Sequence, residues 1–284
     1  MVTGGAAKRW WPIRPHVVKG KPHTAPATIQ KVPAVQKHLA ALGLALGLAL
    51  PAAATDLDNL TDAQRDAFRA EVRAYLLDNP EVLMEAIAVL ESRNAEAEVG
   101  RDAAAVAANA DAIFGSAFDV VLGNPEGDVT VVEFMDYRCG FCRRAHPEMM
   151  DLIELDGNIR LVVKELPILG DQSLLAARFA IATRIGLGDA AYFAVHDALM
   201  GMRGDVSEAA LVALTDGLGL DSGAIMAAID DPLVQTTIDH NRALAQRLSI
   251  SGTPTFVFGD QMVRGYVPID GMQQIVTMLR DGDN

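Results

Sequence analysis

Two stripes of apolar residues at helical spacing dominate the chain between about residues 60 and 90. The stripe positions are Phe68, Val72, Tyr75 and Leu76, followed by Val82, Leu83, Ala86, Ile87 and Leu90. Pro80 lies between the stripes and predicts the first turn of a second helix, because proline has no N–H to donate. Helices this short cannot form a core alone, so each stripe needs a partner on this chain or on further copies of it. We favour self-association, since short heptad-like seams commonly form dimers or trimers.

The stretch that follows the second stripe is rich in Ala and Glu up to Ala112. This composition favours a helix that has little to bury. We therefore expect a polar helical stalk whose acidic side chains face the solvent.

From Phe118 onward, short β-branched runs replace the helical stripes. The predicted strands are Asp119–Leu122, Val129–Phe134, Ile159–Glu165, Thr255–Phe258 and Met262–Arg264. The stretch from about 172 to 248 is helical throughout, with helix-start signals at Ser173, Ser207 and Asp221. A helix over Pro268–Leu279 closes the chain. This order predicts an α/β fold with a small sheet and an inserted all-helical domain.

The first 54 residues have the features of a secretory signal peptide. They contain seven Lys or Arg residues and no acid, then an apolar run of Leu, Ala and Gly over residues 39–50, then Ala52-Ala53-Ala54. The run is shorter than the ~20 residues that span a bilayer, so we expect cleavage after Ala54 and export to the periplasm. Because the basic region is unusually long, we also expect translation to start near Val32 or Val35.

The charge of the chain excludes nucleic acid as a partner. The whole sequence has 24 Lys and Arg residues against 37 acids, and the part after residue 54 carries a charge of about −20. Such a surface repels phosphates. The apolar fraction of 50% is ample for a real core.

The candidate chemistry lies in Cys139-Gly140-Phe141-Cys142, which contains both cysteines of the chain. Two cysteines this close cannot form a disulfide scaffold, and a closed zinc site usually needs four protein ligands. The motif follows a strand and opens a helix, so Cys139 lies where the helix N-terminus favours a thiolate. Cys142 lies one turn further on and is expected to resolve a mixed disulfide. The basic residues expected to lower the pKa of Cys139 further are Arg138, Arg143, Arg144 and His146.

A second feature is Gly252-Thr253-Pro254-Thr255-Phe256, whose proline lies 112 residues after Cys142. A proline at the head of a strand is either a plain edge residue or part of a cis peptide bond, which is usually tied to function. In the second case Pro254 would lie against the cysteine pair and Thr253 would offer its backbone to an extended substrate.

Residues 118–284 resemble the DsbA family of thioredoxin-fold proteins. The resemblance rests on Val132-Glu133-Phe134, on the CGFC motif, on the helical insertion and on the Thr253-Pro254 segment. It implies a thioredoxin-like fold that exchanges disulfides through Cys139 and Cys142 and needs no other cofactor. It also implies that Glu133 is the buried acid that helps to move the proton of the second cysteine, and that Lys164 is the charged partner of that acid.

The segment from Phe68 to Leu90 is similar to the N-terminal segment of ScsC, the suppressor-of-copper-sensitivity proteins. Members with this segment form trimers and can act as disulfide isomerases. The resemblance therefore implies a homo-oligomer, with a trimer favoured, held together through residues 60–112. The expected division is a signal peptide over 1–54, an N-terminal helical oligomerisation segment and stalk over 55–113, and the thioredoxin-like domain over 114–284.

Three functions remain open at this point. Gly140 and Phe141 are similar to the Gly-Tyr of bacterial disulfide isomerases, which also have Thr before the cis-proline. An isomerase or reductase of protein disulfides, served by a membrane-bound redox partner, is therefore favoured. The first alternative is a monomeric DsbA-like dithiol oxidase. The second is copper handling, with Cu(I) bound by Cys139 and Cys142.

The remaining histidines and Tyr266 are weaker candidates. His146 is expected to face the solvent on its helix, with a catalytic role as the less favoured alternative. His196 and His240 are expected to be packing or surface residues. Tyr266 is expected to pack, although it could also line the substrate groove.

Overall fold

The computed structural model describes residues 60–282. The expected signal peptide, its cleavage site after Ala54 and the alternative translation start lie outside these residues. No helix within 60–282 is long and apolar enough to cross a bilayer.

The described residues form five strands and ten helices. The strands are β1 (Val120–Gly123), β2 (Val129–Met135), β3 (Ile159–Glu165), β4 (Thr255–Phe258) and β5 (Gln261–Arg264). The helices are α1 (Asp62–Asp78), α2 (Glu81–Ala108), α3 (Ala110–Phe114), α4 (Gly140–Asp156), α5 (Asp171–Leu187), α6 (Asp189–Gly201), α7 (Glu208–Gly217), α8 (Ser222–Ala228), α9 (Pro232–Arg247) and α10 (Ile269–Gly282). This element order matches the sequence prediction, with each strand within one or two residues of its expected bounds.

One sheet with the strand order β1-β3-β2-β4-β5 forms the centre of the fold. The central pair β2 and β3 is parallel, and every other pairing is antiparallel. Both central strands are buried on both faces, which explains their continuous apolar, β-branched sequences. One face packs in a core with α4, α10 and most of the helical insertion, and the other packs against the second half of α9 and the end of α2.

The register of the sheet decides which face each buried charged residue occupies. Glu133 is paired with Val163 and Phe256, so it lies on the face that packs against α4. Lys164 is paired with Phe134, which belongs to the core of the opposite face. Neighbouring residues in register share a face, so Glu133 and Lys164 are on opposite sides of the sheet.

Helices α5 to α9 form the block inserted between β3 and β4. Ser207 and Asp221 cap α7 and α8 by accepting hydrogen bonds from Ala210 and Ala224, which confirms both predicted helix starts. The predicted start at Ser173 is wrong. Helix α5 begins at Asp171, directly after Gly170 with a φ of +97°, so Ser173 is an interior, buried residue.

Helix α2 is continuous over 28 residues, and its two halves have different surroundings. The C-terminal half packs against β5, where Val106 is buried and Arg264 forms ion pairs with Asp102 and Glu98. The expectation that the stalk acids form a purely solvated face is therefore wrong for Asp102. The apolar residues of α1 and of the first half of α2 remain largely exposed.

Candidate functional site

The two cysteines lie where β2 leads into α4. Cys139 is the N-cap residue of α4 in an extended conformation, and Cys142 is in the first turn. Both are free thiols, and both are buried, Cys142 completely and Cys139 with 6% of its surface exposed. The strand places the pair at its C-terminal end, and the helix directs its free N–H groups at Cys139.

The pKa values of the two thiols are shifted in opposite directions. The Cys142 thiol donates a hydrogen bond to the sulfur of Cys139, and this contact is the main reason that the pKa of Cys139 falls to about 5. Burial opposes this shift, while Thr253 and the backbone N–H groups of Phe141 and Cys142 support it. The same hydrogen bond, together with burial and the charge of Glu133, raises the pKa of Cys142. Cys139 is thus a thiolate at neutral pH, and Cys142 keeps its proton.

The Thr253-Pro254 segment lies directly against Cys139. The peptide bond between Thr253 and Pro254 is cis, and the Cys139 sulfur lies 3.1 Å from the Thr253 carbonyl oxygen, to which it can donate only when protonated. This proximity follows from the sheet, because β4 begins at Thr255 and pairs with Phe134 of β2. An extended substrate bound here would meet the Thr253 backbone and the Cys139 sulfur together.

Glu133, the expected site carboxylate, lies on the cysteine side of the sheet. It is 1% exposed, and among residues 60–282 its Oε1 atom has no hydrogen-bond partner. Burial first, and the nearby Cys139 charge second, raise its pKa to about 8. Glu133 therefore holds a proton at neutral pH while Cys139 is a thiolate.

Lys164 does not pair with Glu133, so that expectation is corrected. The side chain lies on the opposite face of the sheet, where its ammonium forms a buried ion pair with Asp119 and donates to the Ala112 carbonyl at 3.0 Å. Burial lowers the pKa of Lys164 and raises that of Asp119, whereas their mutual attraction opposes both shifts. The pair joins the segment before β1 to the sheet rather than serving the cysteines.

Asp136 is a residue of the site that the sequence reasoning missed. Its buried carboxylate accepts hydrogen bonds from the backbone N–H groups of Arg138, Ile168 and Leu169 at 2.7, 2.8 and 3.1 Å. Its carbonyl accepts from the Cys139 N–H at 3.0 Å. Asp136 therefore ties the loop before α4 to the loop after β3. An Asp between a buried strand and the CxxC motif is the signal that could have revealed it.

Exposed apolar side chains and three arginines surround the loop that carries the cysteine pair. Phe141 is 62% exposed, and Ile168 and Leu169 are also exposed. Arg138 and Arg143 donate to carbonyl oxygens of Gly204 and Tyr137, and Arg144 stacks over the ring of Tyr266. Of the basic side chains, Arg143 interacts electrostatically with the charge of Cys139, although hydrogen bonds are the main causes of the low Cys139 pKa. Gly140 has open space around its Cα atom.

His146 is placed differently from the sequence expectation, whereas His196 and His240 pack against other side chains as expected. His146 is buried, not solvent-facing, because its side of α4 packs against α6. Its Nε2 atom lies 3.0 Å from Asp197, and its ring contacts that of the buried His196. His240 lies far from the pair, against Phe118.

Tyr266 donates to Glu148 at 2.5 Å and lies beside Arg144, so it packs at the edge of α4. Within residues 60–282, no group of three or more His, Cys, Asp or Glu side chains could hold a metal ion. Copper binding by Cys139 and Cys142 stays a prediction, because a pair of thiols, with or without a methionine sulfur, falls outside this type of group.

The geometry suits attack on a disulfide. Cys139 supplies a thiolate at the surface edge of the site, and Cys142 supplies a second thiol beside it that is kept protonated until it is needed. The Thr253 carbonyl and the apolar rim can hold an extended peptide across the Cys139 sulfur.

Comparisons with known proteins agree with this geometry. Residues 130–277, more than half of the chain, match the DSBA-like thioredoxin domain, and residues 64–97 match the copper resistance protein ScsC N-terminal domain. These matches confirm the thioredoxin-like fold and both resemblances drawn from the sequence.

Solved structures and curated proteins match different shares of the chain. A thioredoxin-like oxidoreductase from Silicibacter pomeroyi DSS-3 is 44% identical, with a TM-score of 0.57 over 60% of this chain and 97% of that one. Proteus mirabilis ScsC in a transitional conformation is 28% identical, with a TM-score of 0.57 over 77% and 98% of the two chains. The Na⁺/H⁺ antiporter NhaA 1 of Salinispora arenicola is 31% identical over 159 residues, 56% of this chain and 24% of the antiporter. The chain thus spans about a quarter of the length of the curated relatives it matches.

Proposed function

Because the chain belongs to the family of DSBA-like thioredoxin-domain proteins, we propose that it is an exported thiol–disulfide oxidoreductase that reshuffles or reduces wrong disulfides in other proteins. The observation that carries this proposal is the asymmetric thiol pair, with a pKa of about 5 at Cys139 and a raised pKa at Cys142. A thiolate at neutral pH is the form that attacks a disulfide.

The reaction begins when the Cys139 thiolate attacks a sulfur of the substrate disulfide. A mixed disulfide forms between Cys139 and the substrate, and the second substrate sulfur leaves as a thiolate. Two outcomes follow. The released thiolate can attack a different disulfide of the same substrate, which is isomerisation, or Cys142 can attack Cys139 and release the substrate reduced. The second outcome leaves a Cys139–Cys142 disulfide that a membrane-bound redox partner would reduce.

Glu133 keeps the buried part of the site close to neutral. While Cys139 is a thiolate, Glu133 holds its proton, so the interior carries one negative charge instead of two. When Cys139 becomes bonded to the substrate, its charge disappears and one of the two causes of the raised Glu133 pKa is removed. Glu133 then ionises more readily, which links its protonation to the state of Cys139.

Isomerisation is favoured over oxidation by the surroundings of Cys139. The thiolate is stabilised by Cys142, Thr253 and backbone N–H groups, and the Phe141 side chain offers no further donor. The exposed rim of Phe141, Ile168 and Leu169 suits the apolar segments that a misfolded client exposes. A client held by such a rim stays bound long enough for its cysteines to exchange.

The exposed stripes of α1 and α2 support action as an oligomer. The outward-facing apolar residues are Phe68, Val72, Leu77, Leu83, Ile87 and Leu90, each 41% to 62% exposed. A groove of about 350 Å³ lies between Phe68, Val72, Leu76 and Leu83. Covering these residues with the same faces of further copies would remove a large apolar surface from water. Several active sites around one client would raise their effective concentration.

The test is refolding of a scrambled, fully oxidised substrate by the reduced protein. We expect recovery of substrate activity with the wild type, none with Cys139→Ser, and a loss of most recovery with the double variant Leu83→Glu/Ile87→Glu. The matched control is Leu155→Glu, which changes an apolar residue that is 73% exposed on α4, away from the stripes.

The outcomes separate the alternatives. Full recovery with the Leu83→Glu/Ile87→Glu variant would remove the link between self-association and isomerisation. Rapid oxidation of a reduced substrate without reshuffling would favour the dithiol oxidase. Recovery that does not need Cys139 would overturn the proposal itself.

A further inference from the structure

Four arginines lie around the loop that carries the cysteine pair, in a chain whose formal net charge is −13. Arg138 directly precedes Cys139, and the backbone N–H of Arg143 donates to the Cys139 carbonyl oxygen at 3.1 Å. Arg203 and Arg242 belong to the helical insertion. These four residues, Arg138, Arg143, Arg203 and Arg242, are called the arginine rim below. The function proposed above does not use them.

Hydrogen bonds hold Arg138 and Arg143 beside the cysteine loop. The Arg138 guanidinium donates from Nη1 to the Gly204 carbonyl oxygen at 2.6 Å, which places its charge one residue from Arg203. The Arg143 guanidinium donates from Nε to the Tyr137 carbonyl oxygen at 2.7 Å, on the peptide unit that leads into Arg138. Its Nη2 atom is buried and has no partner among the described residues, so Arg143 contributes its charge rather than an open contact.

Arg242 joins the rim through the loop after β3. It donates from Nη2 to the Pro167 carbonyl oxygen at 3.1 Å. The next residue, Ile168, donates its backbone N–H to the Asp136 carboxylate, which also accepts from the N–H of Arg138. One buried carboxylate therefore holds the exposed Ile168 and the start of the cysteine loop at the same edge of the site.

None of the four rim arginines forms an ion pair with a residue that the structure describes. The loops beside them contain the exposed acids Asp171 and Asp205, but neither is paired with an arginine of the rim. Arginines elsewhere in the chain do pair with aspartates, and these are Arg178, Arg184, Arg264 and Arg280. Guanidinium groups without an acidic partner are therefore gathered near the cysteines, where their charge is available to a ligand.

This arrangement fits a client segment that carries both carboxylates and apolar side chains. A guanidinium group binds a carboxylate through parallel N–H donors, and Phe141 and Ile168 supply exposed apolar surface beside the rim. Without the rim, such a client would react slowly, because the Cys139 thiolate and a neighbouring carboxylate repel each other. The positive charge of the rim offsets this repulsion where the client cysteine must approach.

We propose that the arginine rim binds carboxylates of a client close to its reacting cysteine, so that the protein acts preferentially on disulfides in acidic segments. The proposal rests on the proposed function, because it concerns the client that Cys139 attacks. The bonds that form and break during the attack are unchanged. The rim decides which client reaches Cys139 most rapidly.

The test uses three peptides with one cysteine each, identical except for the two residues that flank it, which are both Asp, both Asn or both Lys. The cysteine is joined by a disulfide to an aromatic thiol whose thiolate absorbs visible light. Attack by Cys139 on the peptide sulfur forms a Cys139–peptide disulfide and releases the aromatic thiolate, because the thiol with the lower pKa leaves faster. The second-order rate constant is measured with excess reduced protein in about 50 mM and about 500 mM salt.

At the lower salt concentration, the wild type should react about fivefold faster with the Asp peptide than with the Asn peptide, and most slowly with the Lys peptide. A small thiol without charged groups measures the intrinsic reactivity of each peptide. It should show the reverse order, because its thiolate is repelled by carboxylates and has no positive charge beside it. At the higher salt concentration, the ratio of the Asp to the Asn rate constant in the wild type should fall toward one.

Arg138→Gln/Arg203→Gln removes two charges of the rim, while a Gln amide at position 138 can still donate to the Gly204 carbonyl. Its Asp/Asn ratio should be lower than that of the wild type by about threefold, whereas Arg138→Lys/Arg203→Lys should keep most of the preference. The matched control is Arg247→Gln. Arg247 is exposed, bonds to Asn109 rather than to an acid, and belongs to the end of α9 that packs on the other face of the sheet. Its replacement should leave the ratio unchanged.

Equal rate constants for the Asp and Asn peptides in the wild type would overturn the proposal, and so would a wild-type ratio in Arg138→Gln/Arg203→Gln. A ratio lowered equally by Arg247→Gln would show a general effect of charge and overturn it too. If the double variant does not fold, Arg203→Gln decides, because Arg203 is exposed and bonds to no described residue, and an unchanged ratio there is equally fatal. Absence of Cys139-dependent release from all three peptides would instead remove the proposed function.

Discussion

At the scale of single residues, the protonation states of Cys139 and Glu133 are the reverse of those expected for a free thiol and a free carboxylic acid. The thiol is ionised at neutral pH and the carboxylic acid is not. The cause lies in the hydrogen bonds each group receives. Cys139 accepts from the Cys142 thiol and from backbone N–H groups, whereas Glu133 is buried against an apolar face. The site therefore keeps one negative charge and places it on the sulfur.

Removing the Cys142 hydrogen bond should raise the pKa of Cys139. In Cys142→Ala, the thiolate loses its main stabilising contact, and we expect its pKa to rise from about 5 by about one to two units. In Cys142→Ser, the hydroxyl can still donate, so the rise should be smaller. The measurement is the pH dependence of Cys139 alkylation or of thiolate absorbance. Equal pKa values in both variants and the wild type would contradict the assigned cause.

The shifted pKa values of Glu133 and Cys139 should change the pH dependence of stability in opposite directions. Glu133 holds its proton to about pH 8 when folded but releases it near 4.5 when unfolded, so its contribution to stability falls as pH rises through this window. Cys139 ionises near pH 5 when folded and near 9.0 when unfolded, so its contribution rises between these values.

We therefore expect the free energy of unfolding of Glu133→Gln to increase from pH 5 to pH 8 and that of Cys139→Ser to decrease. The slope for the wild type should lie between the slopes of the two variants. The contribution of Glu133 to the free energy of unfolding changes by at most about 1.4 kcal/mol per pH unit. Urea unfolding under reducing conditions at several pH values gives the measurement. If the free energy of unfolding changed with pH in the same way in both variants, the pKa shifts of Glu133 and Cys139 would be misassigned.

At the scale of elements, the ion pair of Lys164 and Asp119 fixes α3 and the segment before β1 against the sheet. Lys164→Met should lower the free energy of unfolding by about 3 kcal/mol, because it leaves Asp119 buried without its partner. The pKa of Cys139 should not change, since Lys164 lies on the face away from the cysteines. Urea unfolding tests the first statement and thiolate absorbance the second. A shifted Cys139 pKa would restore the role that the family resemblance suggested for Lys164.

Local sequence patterns predicted the elements well because their causes are local. The β-branched runs of the central strands, and the caps at Ser207 and Asp221, act within a few residues. Ser173 was misassigned because Asp171 and the left-handed Gly170 start α5 two residues earlier. An N-cap signal within a helical, polar stretch does not by itself determine which residue begins the helix.

Site residues whose position depends on one element were predicted correctly. Those whose surroundings depend on contacts between elements were missed or misplaced. The position of Cys139 follows from a strand leading into a helix. The face of Lys164 could not be predicted, because a central strand is buried on both sides and shows no polar alternation. The burial of His146 depends on α6, which lies about 50 residues further along the chain. The role of Asp136 depends in the same way on the loop after β3.

At the scale of the whole molecule, strong negative charge accompanies the exposed apolar stripes. The formal net charge is −13, so copies of the chain repel each other while their stripes attract. Salt screens the repulsion and leaves the apolar attraction in place.

Self-association should therefore strengthen as salt is added. We expect the dissociation constant measured by sedimentation to fall several-fold between about 50 mM and about 500 mM salt. The Leu83→Glu/Ile87→Glu variant should remain dissociated at both concentrations, and Leu155→Glu should behave like the wild type. Dissociation by salt would instead indicate that ion pairs hold the copies together.

The packing of α2 against β5 also bears on solubility. β5 is the last strand of the sheet, and such a strand can pair with a strand of another molecule when nothing covers it. The C-terminal half of α2 covers Met262 with Val106 and holds Arg264 through Asp102. A shortened chain that begins after α2 should aggregate. One that begins between Leu90 and Glu98 keeps the half of α2 that packs against β5, so it should remain soluble. In the proposed oligomer, the same helix would hold copies together at one end and protect the sheet from disordered association at the other.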